Sequence, residues 1–227
     1  MLPLEIWQKI KVVLFDAEGT LFRIWPSVGH IYAEVCRPFG LSASPADLDQ
    51  SFQEAWQAHL KRGHRRRLTP KECFQEWYQI FLDTVSPYGK LTDPKAAYRA
   101  CYEAFARKEA FRPSPGIEVL SLLRKQGRRL AIVSNWDERL RRLLKDFGLL
   151  DLFEEVFIAC ELGIAKPDPA FFELACRSLK VLPDQALMIG DNLEEDVLAA
   201  RRAGLWALFY PGGDLKRLFP KDYSNGT

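Results

Sequence analysis

Asp16 closes the run Lys11-Val12-Val13-Leu14-Phe15 and opens Asp16-Ala17-Glu18-Gly19-Thr20-Leu21. A β-branched apolar run that ends in an acid and then Gly-Thr reads as a buried strand delivering a carboxylate into a tight loop. A carboxylate held in that way suits a nucleophile or a metal ligand. Three more polar clusters follow downstream: Ser134-Asn135, Lys166-Pro167, and Gly190-Asp191-Asn192 with Asp196. Taken singly, each has a plain structural reading. Asp16 could cap a turn, Ser134-Asn135 could lead into the next helix, and Lys166 could be a surface lysine. Asp191 and Asp196 could be the N-cap and first-turn acid of a helix. It is the ordered set that argues for a site.

Such side chains need elements that bring them together. Between about Arg23 and Arg112 the pattern predicts amphipathic helices and no strand. The first covers 27–39 and the second starts at Ser44-Pro45-Ala46-Asp47. The third starts at Thr69-Pro70-Lys71-Glu72, where Thr69 and Glu72 form a capping-box pattern, and the fourth at Asp93-Pro94. Trp56, Trp77, Tyr78 and Phe81 recur at helical spacing and read as bundle core. The basic run from Lys61 to Arg67 reads as a solvated loop. From Pro113-Ser114-Pro115-Gly116 onward, helix and strand alternate. Helices are expected at 117–126, 138–147, 169–179 and 193–203, and strands at 129–134, 156–159, 186–190 and 206–210.

Strands separated by helical crossovers imply a parallel sheet with helices on both faces. The expected fold class is therefore α/β, a doubly wound parallel-sheet core with an inserted helical bundle. The core takes residues 1–22 and 113–227, and the helical insertion takes 23–112. Ligands bind beyond the carboxyl ends of the strands in such sheets. Asp16, Ser134 and Asp191 each sit at or just past such an end, and Lys166 lies on the loop after 156–159. The insertion leaves the core at that same edge, placed as a lid, and Trp25, Ser27 and His30 lie where it departs.

A chain of 227 residues, nearly half of them apolar, can bury a sizeable core. Its formal net charge of +2 argues against nucleic acid as a partner. No apolar stretch approaches the roughly 20 residues needed to span a bilayer, so no membrane partner is expected. The segment from Met1 to Lys9 lacks the apolar stretch and cleavage site of a signal peptide. The 5 cysteines are widely spaced without a CxxC pair, which reads as reduced thiols in a cytoplasmic protein. Oligomeric state is left open.

In its four motifs the chain resembles the haloacid dehalogenase superfamily. They are Asp16-Ala17-Glu18-Gly19-Thr20-Leu21, Val133-Ser134-Asn135, Lys166-Pro167-Asp168-Pro169, and Ile189-Gly190-Asp191-Asn192 with Asp196. The insertion sits where that family carries a helical cap. The resemblance implies a Mg²⁺-dependent phosphohydrolase that works through a phospho-aspartate on a small-molecule phosphate ester. Asp16 would be the nucleophile, and Asp16, the Glu18 backbone carbonyl and Asp191 would hold Mg²⁺. Gly19, Thr20, Ser134, Asn135 and Lys166 would face the substrate. Asn192 and Asp196 would support them.

One position departs from the phosphatase motif, where the second acid is usually Asp and here is Glu18. The extra methylene adds about 1.5 Å of reach. A catalytic group misplaced by ~1 Å can cost roughly a hundredfold in rate. The resemblance thus leaves alternatives: a weak or non-catalytic binding or regulatory protein, a 2-haloacid dehalogenase whose aspartate attacks carbon without a metal, or a mutase.

Overall fold

Val12, Val13, Leu14 and Phe15 are each 0% exposed, which a β-branched apolar segment achieves in a strand covered on both faces. The computed structural model describes residues 2–62 and 69–220. In chain order its elements are α1 (Leu4–Lys9), β1 (Val12–Phe15), β2 (Phe22–Ile24), α2 (Val28–Cys36), α3 (Pro45–Arg62), α4 (Pro70–Val85) and α5 (Pro94–Ala104). There follow β3 (Phe111–Pro113), α6 (Val119–Lys125), β4 (Arg129–Ser134), α7 (Arg139–Asp146), β5 (Glu155–Ile158) and α8 (Ala159–Leu162). The chain closes with α9 (Pro169–Ser178), β6 (Ala186–Gly190), a π-helical turn (Leu193–Leu198), α10 (Ala199–Arg202) and β7 (Trp206–Phe209).

Five strands form a parallel sheet in the order β5-β4-β1-β6-β7. The chain builds outward from β1 to one side and then returns to the other, so β1 sits at the switch point where α/β sheets bind ligands. The register pairs Phe15 with Ile132 on β4 and with Ile189 on β6. The residues that follow these three positions therefore leave the sheet at one level. On one face Val12 and Leu14 pack with Phe171, Phe172 and Ala175 of α9. On the other, Phe15 meets Phe153 edge-on at 6.4 Å. The α/β fold class expected from the sequence is the one observed.

The contacts divide the chain into two compact units, residues 24–112 and the remainder. The helical unit buries Tyr32, which meets Phe81 edge-on at 5.4 Å and Phe105 at 5.7 Å. Such aromatic pairs contribute about 0.5–1.5 kcal/mol beyond their area. Ser27, Thr69 and Asp93 cap its helices, and Thr69 with Glu72 completes the capping box. Phe81 is fully buried, while Trp56 and Trp77 stack on each other at 5.4 Å with their rings half-buried. Residues 63–67 of the basic run lie outside the described ones.

Several features differ from the sequence expectation. The short strands β2 and β3 pair as a ribbon, although a helical stretch with no strand was expected there. Three-residue strands are too short to show a period of two. Helix α1 precedes β1 and buries Trp7, and the tail carries a 3₁₀ turn at Leu215–Leu218 that seats Phe219 in the core. Cys36, Cys101 and Cys176 are free thiols, but Cys73 and Cys160 are disulfide-bonded, so the expectation of thiols throughout fails at those two. Among the described residues no helix is long and apolar enough to cross a membrane.

Candidate active site

Asp16 still belongs to the sheet through its backbone, donating its N–H to the carbonyl of Ile189 at 2.9 Å. The chain then turns sharply. The carbonyl of Ala17 accepts from Leu21 and Phe22, and the Gly19 N–H donates to Phe22 at 2.8 Å. Gly19 adopts φ +87°, and a Cβ there would stand 2.1 Å from Asp191 Oδ2. Glycine thus supplies both the left-handed turn and the space that lets the Asp16 loop close on Asp191. Thr20, fully buried, donates its hydroxyl to Asp191 Oδ1 at 3.3 Å. Glu18 lies half-buried on the same loop.

Lys166 is 2% exposed, and its ammonium donates to Asp16 Oδ1 at 2.5 Å and to Asp196 Oδ1 at 2.6 Å. A buried cation needs such partners, since each lost charge–charge contact would leave an ion stranded away from water. Asn135 grips the backbone of the same lysine: its Oδ1 accepts from Lys166 N at 2.8 Å and its Nδ2 donates to Lys166 O at 2.9 Å. The second Nδ2 hydrogen goes to Glu195 Oε2 at 2.9 Å. Ser134 is 1% exposed, and its hydroxyl has no hydrogen-bond partner among the described residues. A buried hydroxyl in that state is a group waiting for a ligand atom.

The π-helical turn explains how the last motif reaches inward. The Asn192 side chain caps it, accepting from Glu194 N and Glu195 N at 3.0 Å each. The Asn192 carbonyl then accepts from both Asp196 N and Val197 N. Within this turn two consecutive acids, Glu195 and Asp196, are buried, at 8% and 1% exposure. Asp196 has both oxygens occupied, Oδ1 by Lys166 and Oδ2 by the N–H of Asn192 at 2.9 Å.

Ligand-type oxygens of Asp16, Asp191 and Asp196 all lie within 4.8 Å of one another. Burial, more than any neighbour, holds the Asp16 carboxyl well above the usual carboxylate range. Lys166 opposes that rise, while Asp196 and Asp191 add to it. Asp191 is raised as well, first by desolvation and then by the Asp196 charge. The Lys166 pKa is raised, burial being outweighed by Asp16 and Asp196. Three carboxylates against one ammonium leave a surplus of negative charge, and oxygen donors of this kind fit a hard divalent cation. Asp196 binds Lys166 and the Asn192 N–H with its two oxygens, while Asp16 and Asp191 each keep one oxygen outside their bonds to Lys166 and Thr20.

The structure gathers Asp16, Thr20, Ser134, Lys166, Asp191 and Asp196 at the carboxyl edge of β1, β4 and β6. Three residues expected at the substrate have their groups engaged elsewhere: the Gly19 N–H with Phe22, the Thr20 hydroxyl with Asp191, and the Asn135 amide with Lys166 and Glu195. Glu195 escaped sequence reading. In a regular helix it would share the wet face with Glu194, and the sole signal is the spacing between Asp191 and Asp196. In the helical unit, Ser27 hydrogen-bonds Asp49 at 2.6 Å and pairs with His30 Nδ1 at 2.8 Å, a helix-capping arrangement.

The site is thus a buried lysine bridging two carboxylates at the switch point of a parallel α/β sheet. Residues 10–204 match the haloacid dehalogenase-like hydrolase family, and the chain belongs to it. A phosphoserine phosphatase of Thermus thermophilus is 39% identical over 228 residues, covering 90% of this chain and 90% of that protein. Haloacid dehalogenase-like hydrolase domain-containing protein 3 of Homo sapiens is 30% identical over 212 residues, covering 90% of this chain and 83% of that protein. Among solved structures, a 2-haloacid dehalogenase from Pseudomonas syringae pv. Tomato superposes with a TM-score of 0.58 at 26% identity, covering 88% of this chain and 86% of that chain.

Proposed function

We propose that this enzyme is a Mg²⁺-dependent phosphatase that hydrolyses a small phosphate ester through a phospho-aspartate on Asp16. The observation that carries the reading is Lys166, buried between Asp16 and Asp196 with Asp191 beside them. An anionic phosphoryl group can approach a carboxylate only where positive charge offsets the repulsion. Lys166 supplies one such charge. Asp16, the Glu18 carbonyl and Asp191 would hold Mg²⁺, which when bound polarises the phosphoryl group as a Lewis acid.

With Asp16 Oδ1 tied to Lys166, Oδ2 is the oxygen that attacks phosphorus. The ester P–O bond breaks as the new bond forms, and Glu18 gives its proton to the departing oxygen. A water then attacks the same phosphorus and passes its proton to Glu18. The bond to Asp16 breaks and inorganic phosphate leaves. The Ser134 hydroxyl and the Lys166 ammonium bind the non-transferring oxygens, while Gly19, Thr20 and Asn135 shape the loops that carry them. Residues 23–112 would be the helical cap that the resemblance implies.

The test is hydrolysis of a generic aryl phosphate with and without Mg²⁺. Metal-dependent turnover is expected, with a loss of at least about a thousandfold in Asp16→Asn, as removal of a nucleophile commonly gives. Glu18→Asp restores the shorter acid of the phosphatase motif. A rate gain there would mean the native acid reaches too far, and unaltered turnover would mean the loop has adapted to it. The shared fold with a 2-haloacid dehalogenase supports a second reading, which predicts metal-independent halide release. Silence in both assays would leave a binding protein on an enzyme scaffold.

A further inference from the structure

Glu195 belongs to none of the roles above, yet it is a carboxylate taken out of water at 8% exposure, with Oε1 unpartnered among the described residues. Among the described residues its carboxylate accepts one hydrogen bond, from Asn135 Nδ2. We propose that Glu195 is a positioning residue that fixes Asn135 in the orientation clamping the Lys166 backbone. The π-helical turn thereby grips one lysine at both ends: Asp196 holds its ammonium and Glu195, through Asn135, its peptide.

The argument rests on the near symmetry of a carboxamide. Asn135 presents Oδ1 to Lys166 N and Nδ2 to both Lys166 O and Glu195 Oε2. Rotated by half a turn, its oxygen would face a carbonyl and a carboxylate, neither of which can donate. The N–H and carbonyl of Lys166 both oppose that rotation. Glu195 adds a second acceptor that the flipped amide oxygen could not satisfy. The geometry of the turn supports the assignment. The turn, with its i→i+5 bond from Val197 N to Asn192 O at 3.3 Å, carries Glu195 and Asp196 as neighbouring buried acids, one reaching Asn135 and the other the Lys166 ammonium.

The kinetic part of the test rests on the phosphatase reading, and the exchange part does not. Hydrogen exchange of the Lys166 amide, followed by NMR, reports the Asn135 Oδ1 bond directly. Glu195→Ala is expected to speed that exchange and to lower kcat about tenfold with KM little changed, the scale expected when a reacting group loses its placement. Glu195→Gln keeps an acceptor for Asn135 and is expected to restore both. In an Asn135→Ala background, Glu195→Ala is expected to add nothing, because its effect runs through that amide. Unchanged Lys166 exchange in Glu195→Ala would overturn the proposal, as would multiplying effects or a Glu195→Gln variant as impaired as Glu195→Ala. Should Glu195→Ala fail to fold, Glu195→Asp withdraws the acceptor from Asn135 by one methylene and must accelerate the same exchange, or the proposal falls. A wild-type protein inert toward aryl phosphate whose Lys166 exchange still responds would retire the phosphatase reading and keep the clamp.

Discussion

At residue 19 a single hydrogen decides whether two loops can meet. The Asp16 loop turns at φ +87°, and Asp191 Oδ2 stands 2.1 Å from where a Cβ would be. A left-handed backbone costs a residue with a Cβ about 1–2 kcal/mol, and here the added methyl also collides with the carboxylate. Gly19→Ala is therefore expected to displace Asp191 and to weaken Mg²⁺ binding at least about tenfold, by the sensitivity of such sites to ~1 Å shifts. Titrating the thermal shift of the variant with Mg²⁺ measures this without recourse to turnover. An unchanged half-saturation would show that Asp191 does not bind the ion. Sequence reading put Asp191 in this site and assigned Gly19 to the substrate; the close approach that gives Gly19 its place is visible in three dimensions alone.

Among the elements, β1 and the π-helical turn divide the labour of holding the site. β1 is central and buried on both faces, so it fixes Asp16 at one level with the ends of β4 and β6. The π-helical turn carries two buried acids, Glu195 and Asp196, of which one reaches Asn135 and the other Lys166. In the helical unit, α4 starts with reciprocal bonds between Thr69 and Glu72, including Thr69 N–H to Glu72 Oε2 at 2.7 Å. Thr69→Ala is expected to cost about 1 kcal/mol of stability, as N-cap losses typically do. Urea unfolding would measure it, with turnover per folded molecule unaltered. If turnover fell at full stability, α4 would carry more than scaffold.

Over the whole molecule the relevant quantity is the surplus of negative charge at the carboxyl edge of the sheet. The Asp16 and Asp191 carboxyls are held above their ordinary values in the folded protein. A carboxyl raised on folding adds stability below its unfolded pKa, and that contribution is lost as pH rises through the folded value. The metal-free protein should accordingly lose stability as pH climbs from the ordinary carboxylate range, about 4, toward neutrality. On the proposed function, Mg²⁺ would bind the deprotonated pair and offset this loss. The stabilisation given by millimolar Mg²⁺ is thus expected to be larger at about pH 8 than at about pH 5, up to the ~2.7 kcal/mol that a ligand at a hundred times its Kd supplies. Scanning calorimetry at both pH values decides it, and an equal gain would place the ion away from these carboxylates.

The sequence by itself determined the elements whose signal is local. The apolar run before Asp16, the Thr69–Glu72 cap and the alternation of helix and strand after Pro113 each follow from neighbours within a few residues. It also determined which acids, hydroxyl and lysine the strand ends would carry. The tertiary structure alone decided features that depend on chain segments far apart in sequence. The β2–β3 ribbon joins residues nearly 90 positions apart. Gly19 is required by the approach of Asp191, and Glu195 is held by Asn135, 60 residues away in sequence. Local pattern records which side of an element is apolar. It holds no record of what another loop presses against it.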